Sequence, residues 1–417
     1  MGFRKAIVAL QLLWLSISTA LPRRLVQPRD TTAAQSLTVY DAIIIGGGPA
    51  GLSALSGLAR VRRNVLLLDS GEYRNDPTRH MHDVLGFDGV TPAYFRWAAR
   101  RQLSYYETVS FINGTVTEVT VAAPNSTTAG APFTVQATFP SGESATVGAR
   151  AIVLATGLRD IIPQTPGIPQ NWGKGIFWCP WCDGHEHEDQ SLGILSDLSE
   201  APGLVQEIST LNSDIIAFVN GTDTPTMRTA TTQKFPDWER YLALHNITVE
   251  NRTIKSVERL ADGGANHGGD PSAPTAPEHD LFRVDFVEGG PSVLRAAFFS
   301  SFPDEQHSSV GADMGVRLDG GRLAADSAKG LMTNIPNVYA IGDANADNIT
   351  NVPHALFTGK RSAVFLHVAL ARQETATALA TNGTSLNERD FQLDPRAVWE
   401  EMNGGTGDIL DAGEFKE

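Results

Sequence analysis

The chain has 417 residues, enough for two domains, and its 41% hydrophobic content with 39 glycines fits an α/β globular protein rather than a disordered or fibrous one. A formal net charge of −14 argues against nucleic acid as a partner, because neutralising phosphates takes basic patches. The chain has only two cysteines, Cys179 and Cys182, which argues against a fold stapled by disulfides.

Residues 1–20 read as a secretory signal peptide: Arg4 and Lys5 give a basic start, Ala6 to Ile17 an apolar run, and Ser18-Thr19-Ala20 small residues for cleavage. The alternative is an uncleaved anchor, although the run is short for a membrane span. Residues 21–37 form a polar, Pro/Arg-rich flexible leader, in which Arg23-Arg24 is either a second processing site or a charged flank. Asn-x-Ser/Thr sequons at Asn113, Asn125, Asn220, Asn246, Asn251, Asn348 and Asn382 predict glycan on a secreted glycoprotein. The C-terminal residues Glu414-Phe415-Lys416-Glu417 are not a luminal retention signal.

The run Ala42-Ile43-Ile44-Ile45 predicts a buried parallel strand. Gly46-Gly47-Gly48-Pro49-Ala50-Gly51 follows, then helical spacing from Leu52 to Arg60 and a second strand, Val65 to Leu68, ending on Asp69. In this G-x-G-x-x-G the first glycine permits a tight turn and the second lets a pyrophosphate approach the backbone. The third lets helix and strand pack closely, and the helix N-terminus offers N–H groups to the phosphates. Asp69 is placed to accept from a ribose hydroxyl. The alternative is a coincidental glycine-rich turn.

From Asn113 to Val147 short alternating segments predict antiparallel hairpins, and Ala151 to Leu154 a buried strand leading into Ala155-Thr156-Gly157. Residues 158–175, rich in Pro and Gly, read as a linker. A second α/β unit follows, with strands at Leu192–Leu195 and Ile215–Val219 and a helix at Ala201–Leu211. Residues 261–280 read as an exposed, flexible insertion. Val338 to Ile341 is a last strand, closed by Gly342-Asp343, and Gly359 to Ala380 is helical.

A disulfide between Cys179 and Cys182 would close a loop of four residues, worth about 2 kcal/mol against about 4.7 for a hundred-residue loop, so chemistry explains the pair better than stability. Two intervening residues permit a reducible disulfide whose first thiol is acidified. A rival reading makes Cys179, Cys182, His185 and His187 zinc ligands, but zinc sites combine two separated ligand pairs. We therefore expect no metal. Asp183 is either the acid/base that manages a thiolate proton or a helix cap.

Four ordered anchors, Gly46–Gly51, Ala155-Thr156-Gly157, Cys179-Pro180-Trp181-Cys182-Asp183-Gly184 and Ile341-Gly342-Asp343, resemble those of the low-molecular-weight thioredoxin reductases. Their fungal relatives, the dithiol oxidases of epidithiodiketopiperazine pathways, are the branch this chain resembles most. The resemblance implies an α/β fold of two Rossmann-like domains of three ββα layers, the FAD-binding domain (38–165 and 301–390) split by an inserted smaller pyridine-nucleotide-type domain (170–297). A tail follows at 391–417. It also implies a homodimer. In the cofactor-binding loop Gly46–Gly51, Gly47, Gly48, Pro49 and Ala50 would line the FAD pyrophosphate while Gly46 and Gly51 shape the loop; Asp69 and Ser70 would reach the ribose, and Arg74, Asn75 and His82 would lie nearby. Val119 would hold the adenine through its backbone. Thr156, Gly157, Gly342 and Asp343 would border the cofactor, and His354 and Ala355 would open a helix facing the flavin. The thioredoxin reductases have Gln where this chain has His354, which leaves a proton-handling group or a packed polar residue. Cys182 would face the flavin, and Cys179 would exchange with a small dithiol or disulfide substrate.

One departure bears on function. Where a reductase carries a second glycine loop and arginines for NADPH, this chain reads Leu192-Gly193-Ile194-Leu195-Ser196-Asp197-Leu198-Ser199-Glu200-Ala201. Without a nicotinamide site electrons would enter through thiols, predicting an FAD-dependent thiol oxidase that passes them to dioxygen and releases hydrogen peroxide. The rivals are an NAD(P)H-dependent disulfide reductase and a non-catalytic flavin-binding protein.

Overall fold

The computed structural model describes residues 37–122, 131–266 and 277–381. The signal peptide, nearly all of the leader, the tail and the sequons at Asn125 and Asn382 lie outside the described residues. The residues from Thr38 onward cluster as one unit.

Strand Ala42–Ile45 is buried on both faces, as its unbroken apolar sequence requires. It lies at the centre of a five-stranded parallel sheet ordered Val338–Ala340, Ile152–Leu154, Ala42–Ile45, Val65–Asp69, Val109–Asn113. Alternate side chains feed opposite layers: Ala42, Ile44, Val65 and Leu67 face one core, and Ile43, Ile45, Leu66 and Leu68 the other. Over the first lie helix Pro49–Arg60 and helix Val352–Thr381, which approach closely because Gly57 meets Ala363 and Gly359 meets the Ala50 carbonyl. Over the second lies the antiparallel meander Thr115–Val121, Phe133–Thr138, Ser144–Ala149, with Val39–Tyr40 added in parallel. The layers are sheet, sheet and helix.

A second five-stranded parallel sheet, ordered Ile176–Phe177, Ala297–Ser300, Leu192–Leu195, Ile215–Phe218, Thr248–Glu250, is drawn from chain between the first sheet's strands. Helix Ala201–Ile208 covers one face, and the antiparallel sheet Ile254–Ala261, Leu281–Phe286, Val293–Arg295 covers the other. Each sheet is thus the middle of its own α/β layer set.

Two expectations need correction. Residues 158–175 are not a featureless linker: Leu158–Asp160 pairs antiparallel with Asp304–Gln306 where the chain departs and returns, and Ile168–Asn171 is a short helix. Nor is 261–280 exposed throughout, because Glu278 and Asp280 are each 4% exposed. Their burial is compensated by arginines, a pairing that composition alone does not signal.

Candidate active site

A large cavity opens at the C-terminal ends of the first sheet's strands, where doubly wound folds bind ligands. Most of the expected residues line it: Gly46, Gly47, Gly48, Pro49, Ala50, Asp69, Ser70, Arg74, Asn75, His82, Thr156, Gly157, Cys182, Asp183, Gly342, Asp343 and Ala355.

The glycine loop divides into structural and ligand-facing positions. Gly46 has φ +109°, and a methyl there would run into the Ala155 carbonyl. One on Gly51 would strike the Gly46 carbonyl, so Gly51 serves the strand–helix approach and does not line the cavity. At Gly48 nothing lies within 4 Å of the missing Cβ, and no side chain caps the helix that begins at Pro49. Thr156 Oγ1 is buried in the cavity wall without a hydrogen-bond partner. An open backbone approach, an uncapped helix N-terminus and an orphaned hydroxyl fit the phosphates and hydroxyls of a dinucleotide.

Asp69, 2% exposed, accepts from Arg100, from the Tyr73 hydroxyl at 2.6 Å and from the Gly71 N–H at 3.1 Å. A carboxylate has about four lone-pair sites, which leaves one for a ribose hydroxyl. Arg74 binds Asp160 at 2.6 and 3.0 Å and Asp343 at 3.1 Å, so its charge is balanced within the protein. It ties the glycine-loop half of the cavity to the strand pair at the crossover.

Two expected residues are placed otherwise. Val119 is buried among core side chains and does not line the cavity. Its strand enters the wall through Thr115 and Val116, after Gly114, and by residue 119 has moved beyond it. His354 Nε2 bonds Asp347 Oδ2 at 2.7 Å and also stays out of the lining, because the first turn of helix Val352–Thr381 presents Asn351, Val352, Pro353 and Ala355 instead.

The cysteines are joined as a disulfide with Cα atoms 5.2 Å apart. Cys179 caps the short helix Pro180–Asp183, so the turn delivers Cys182 and Asp183 to the cavity while Cys179 stays outside its lining. Trp181 between them is 70% exposed. Asp183 is 7% exposed and its Oδ2 has no partner. Desolvation first, then the nearby charges of Glu186 and Glu278, push its carboxyl well above the usual range against the opposing pull of Arg79. A carboxyl biased toward its neutral form beside a reducible cysteine can donate a proton to the thiolate, and its carboxylate can take one back from the thiol.

Nothing in the local sequence signals the polar cluster behind Asp183. Arg79 bonds Glu278, Asp280 and Asp262, and Asp280 also receives Arg259 at 2.6 Å. His187, Glu278 and Asp280 bring three ligand-type atoms within 4.8 Å of one another, but the arginines already supply the positive charge there. His187 is fully buried, and desolvation lowers its pKa to about 4. His185 is exposed and pairs with Glu188.

In the second α/β layer set, Asp197 Oδ1 accepts from the Ser199 N–H at 2.8 Å, the Ser199 hydroxyl at 2.7 Å and the Glu200 N–H at 3.2 Å. The Glu200 carboxylate is held by Lys234 at 2.6 Å. The N–H groups of Ser199 and of the N-cap Glu200, just before helix Ala201–Ile208, therefore already hold a carboxylate.

Residues 40–195 match the pyridine nucleotide-disulphide oxidoreductase family. The chain is 44% identical over 356 residues to a probable thioredoxin reductase of Arthroderma benhamiae, covering 85% of this chain and 86% of that one. It is 26% identical over 351 residues to the thioredoxin reductase tcpT of Claviceps purpurea, covering 83% and 96%. The crystal structure of a putative thioredoxin reductase, TrxB, from Bacillus anthracis superimposes with a TM-score of 0.66 at 22% identity, over 80% of this chain and 99% of that one, a likeness of fold. A Cys-x-x-Cys disulfide delivered to a dinucleotide cradle, on this fold and with these relatives, makes the chain a thioredoxin reductase-like member of the pyridine nucleotide-disulphide oxidoreductases.

Proposed function

We propose that the protein is an FAD-dependent thiol oxidase that converts a dithiol to a disulfide and passes the electrons to dioxygen, giving hydrogen peroxide. The observation that carries the reading is Asp197, whose carboxylate takes the backbone donors that a second, nicotinamide-bearing dinucleotide would need for its pyrophosphate. A half-buried anion at that point, already satisfied by its own loop, repels a phosphate and leaves the thiols as the entry for electrons.

Residues 38–165 and 301–390 form the FAD-binding part in this reading, and 170–297 the inserted part that carries the cysteines. Bound FAD supplies a two-electron acceptor that dioxygen can reoxidise. A substrate thiolate attacks Cys179 Sγ, the Cys179–Cys182 bond breaks, and Cys182 leaves as a thiolate beside Asp183. The second substrate thiol then displaces Cys179, releasing oxidised substrate and leaving both cysteines reduced. Their reoxidation closes the cycle, and the net reaction is dithiol plus dioxygen to disulfide plus hydrogen peroxide. Asp183 holds the proton that Cys182 gains or loses.

We infer further that the chain is secreted, glycosylated and dimeric. In support, Asn113, Asn220, Asn246, Asn251 and Asn348 are all exposed, as glycan acceptors must be. The deciding experiment is anaerobic mixing of the purified yellow protein with dithiothreitol and, separately, with NADPH. Dithiothreitol is expected to bleach the flavin and NADPH to leave it oxidised, with colour and stoichiometric peroxide returning when oxygen is admitted. Rapid bleaching by NADPH would replace this reading with a disulfide reductase.

A further inference from the structure

Asp183 sits at the inner end of a line of ionisable groups that runs from the cavity to solvent. Glu186, one helical turn on, is 9% exposed, and its charge acts directly on Asp183. Glu186 Oε1 lies 3.4 Å from His82 Nε2, and the other ring nitrogen of His82 lies 3.7 Å from Asp88 Oδ2, whose side chain is 67% exposed. The loop holding His82 and Asp88 is pinned at both ends. Met81 and Val90 form a β-bridge, the Gly89 N–H donates to the Met81 carbonyl at 2.8 Å, and the Asp83 N–H donates to Asp88 Oδ1 at 2.8 Å. The Glu186 backbone is fixed as well, its carbonyl accepting from the Glu278 N–H at 2.9 Å and from Gln190 Nε2 at 3.0 Å.

We propose that Glu186 and His82 carry the proton of Asp183 between the disulfide pocket and solvent at Asp88. This rests on the reading of Cys182 and Asp183 as the working redox pair, and it names the route that pair needs. When the two thiols close to the disulfide, two electrons and two protons leave them. The electron pair and one proton go to the flavin, and the second proton must cross from a pocket whose acid is almost wholly buried. The charged neighbours of Asp183 are Glu186, Glu278 and Arg79, and those of His82 are Glu186 and Asp88. Arg79 leads to the exposed Asp262 but its guanidinium does not give up a proton, Glu278 is bound to that guanidinium, and the His187 side chain is 1% exposed, so the titratable way out runs through Glu186. His82 alternates its two nitrogens between a buried and an exposed carboxylate, the arrangement of a shuttle. The outer step, at 3.7 Å and open to solvent, is of a length that one water spans.

The test uses full-length holoenzyme carrying Glu186→Gln, His82→Gln or His82→Ala, with flavin reduction by dithiothreitol followed anaerobically in H2O and D2O from pH 6 to 9. Glu186→Gln is expected to keep its flavin and melting temperature, and the His82 variants, whose residue lines the cavity, are assayed per bound flavin. Each variant is expected to reduce flavin about ten- to a hundredfold more slowly, with a larger solvent isotope effect. Added imidazole should restore much of the rate to His82→Ala and none to Glu186→Gln. Wild-type rates and isotope effects in both isosteric variants would overturn the relay, as would a slowing that tracks flavin loss and resists imidazole. A wild-type protein reduced by NADPH and not by dithiothreitol would instead sink the oxidase reading. The relay is then judged with the same variants in the reverse direction, from dithionite-reduced flavin to the disulfide, where the proton travels inward and the same slowing and rescue are required.

Discussion

Arg79 donates to Asp280 through both terminal nitrogens, at 2.8 and 3.1 Å, joining the segment that walls the cavity to the residue that leads into strand Leu281–Phe286 of the second layer set. The Asp280 side chain is fully buried and that of Arg79 is 11% exposed, so the pair has little water to fall back on. Removing Arg79 leaves Asp280 with Arg259 as its remaining guanidinium partner and takes from buried Glu278 the guanidinium bound to it. Arg79→Gln is expected to lower unfolding free energy by about 3–5 kcal/mol in urea titrations. Adding Asp280→Asn should recover part of that loss, and an Arg79→Gln protein as stable as wild type would contradict the account.

Gly48 and Gly51 separate the two uses of glycine in one loop. Gly48 has φ −72° and ψ −176°, a conformation open to any L-residue, and its Cβ direction is empty. Gly48→Val should therefore leave the folded chain intact and weaken FAD by about a hundredfold, some 2.8 kcal/mol, read by flavin titration of the apoprotein. Gly51→Ala should instead destabilise the apoprotein itself, because its methyl meets the Gly46 carbonyl. Equal effects of both changes on apoprotein melting would refute the distinction.

The parts of this site that were legible in the sequence are those written in local order. The strand–glycine-loop–helix at 42–60 is contiguous, and so is the turn that carries Cys179, Cys182 and Asp183. The electrostatic frame was not legible, because its members come from distant segments. Glu278 and Asp280 follow a Gly/Pro-rich stretch that composition marks as exposed, and only the arrival of Arg79 and Arg259 makes their burial tolerable. The strand Asp304–Gln306 is short and polar, without apolar alternation, and exists because Leu158–Asp160 lies beside it. The place of Val119 comes from the family resemblance alone, because the sequence of a strand does not show how far along it the cavity reaches.

The two cysteines are predicted to fail differently. Cys182→Ser removes the sulfur that lines the cavity, so dithiothreitol should no longer bleach the flavin, with a loss of at least about a thousandfold. Cys179→Ser leaves that sulfur in place and releases it as a thiol beside Asp183. Turnover is again abolished, but a long-wavelength absorption band that grows with pH should appear from a thiolate next to the flavin. Identical spectra from the two variants would remove the assignment of Cys182 as the flavin-side sulfur.

His187 gives the pH dependence of stability a defined sign. Burial holds its pKa at about 4 in the folded chain, against about 6.5 when unfolded, so the folded state binds fewer protons between those values. Its contribution is fully present above pH 6.5 and is lost as pH falls toward 4. The ring is fully buried against Phe177, with centroids 5.0 Å apart, so no solvent screening softens the cost of charging it. The charge of Asp280 would favour the charged ring, but Asp280 is committed to Arg79, whose own charge opposes it. Between pH 7 and pH 4.5 wild type should lose about 2–3 kcal/mol more unfolding free energy than His187→Gln. Carboxylates elsewhere titrate in both proteins and cancel in the difference. Urea unfolding at the two pH values measures it, and parallel losses in wild type and variant would mean that His187 is protonated in the folded protein.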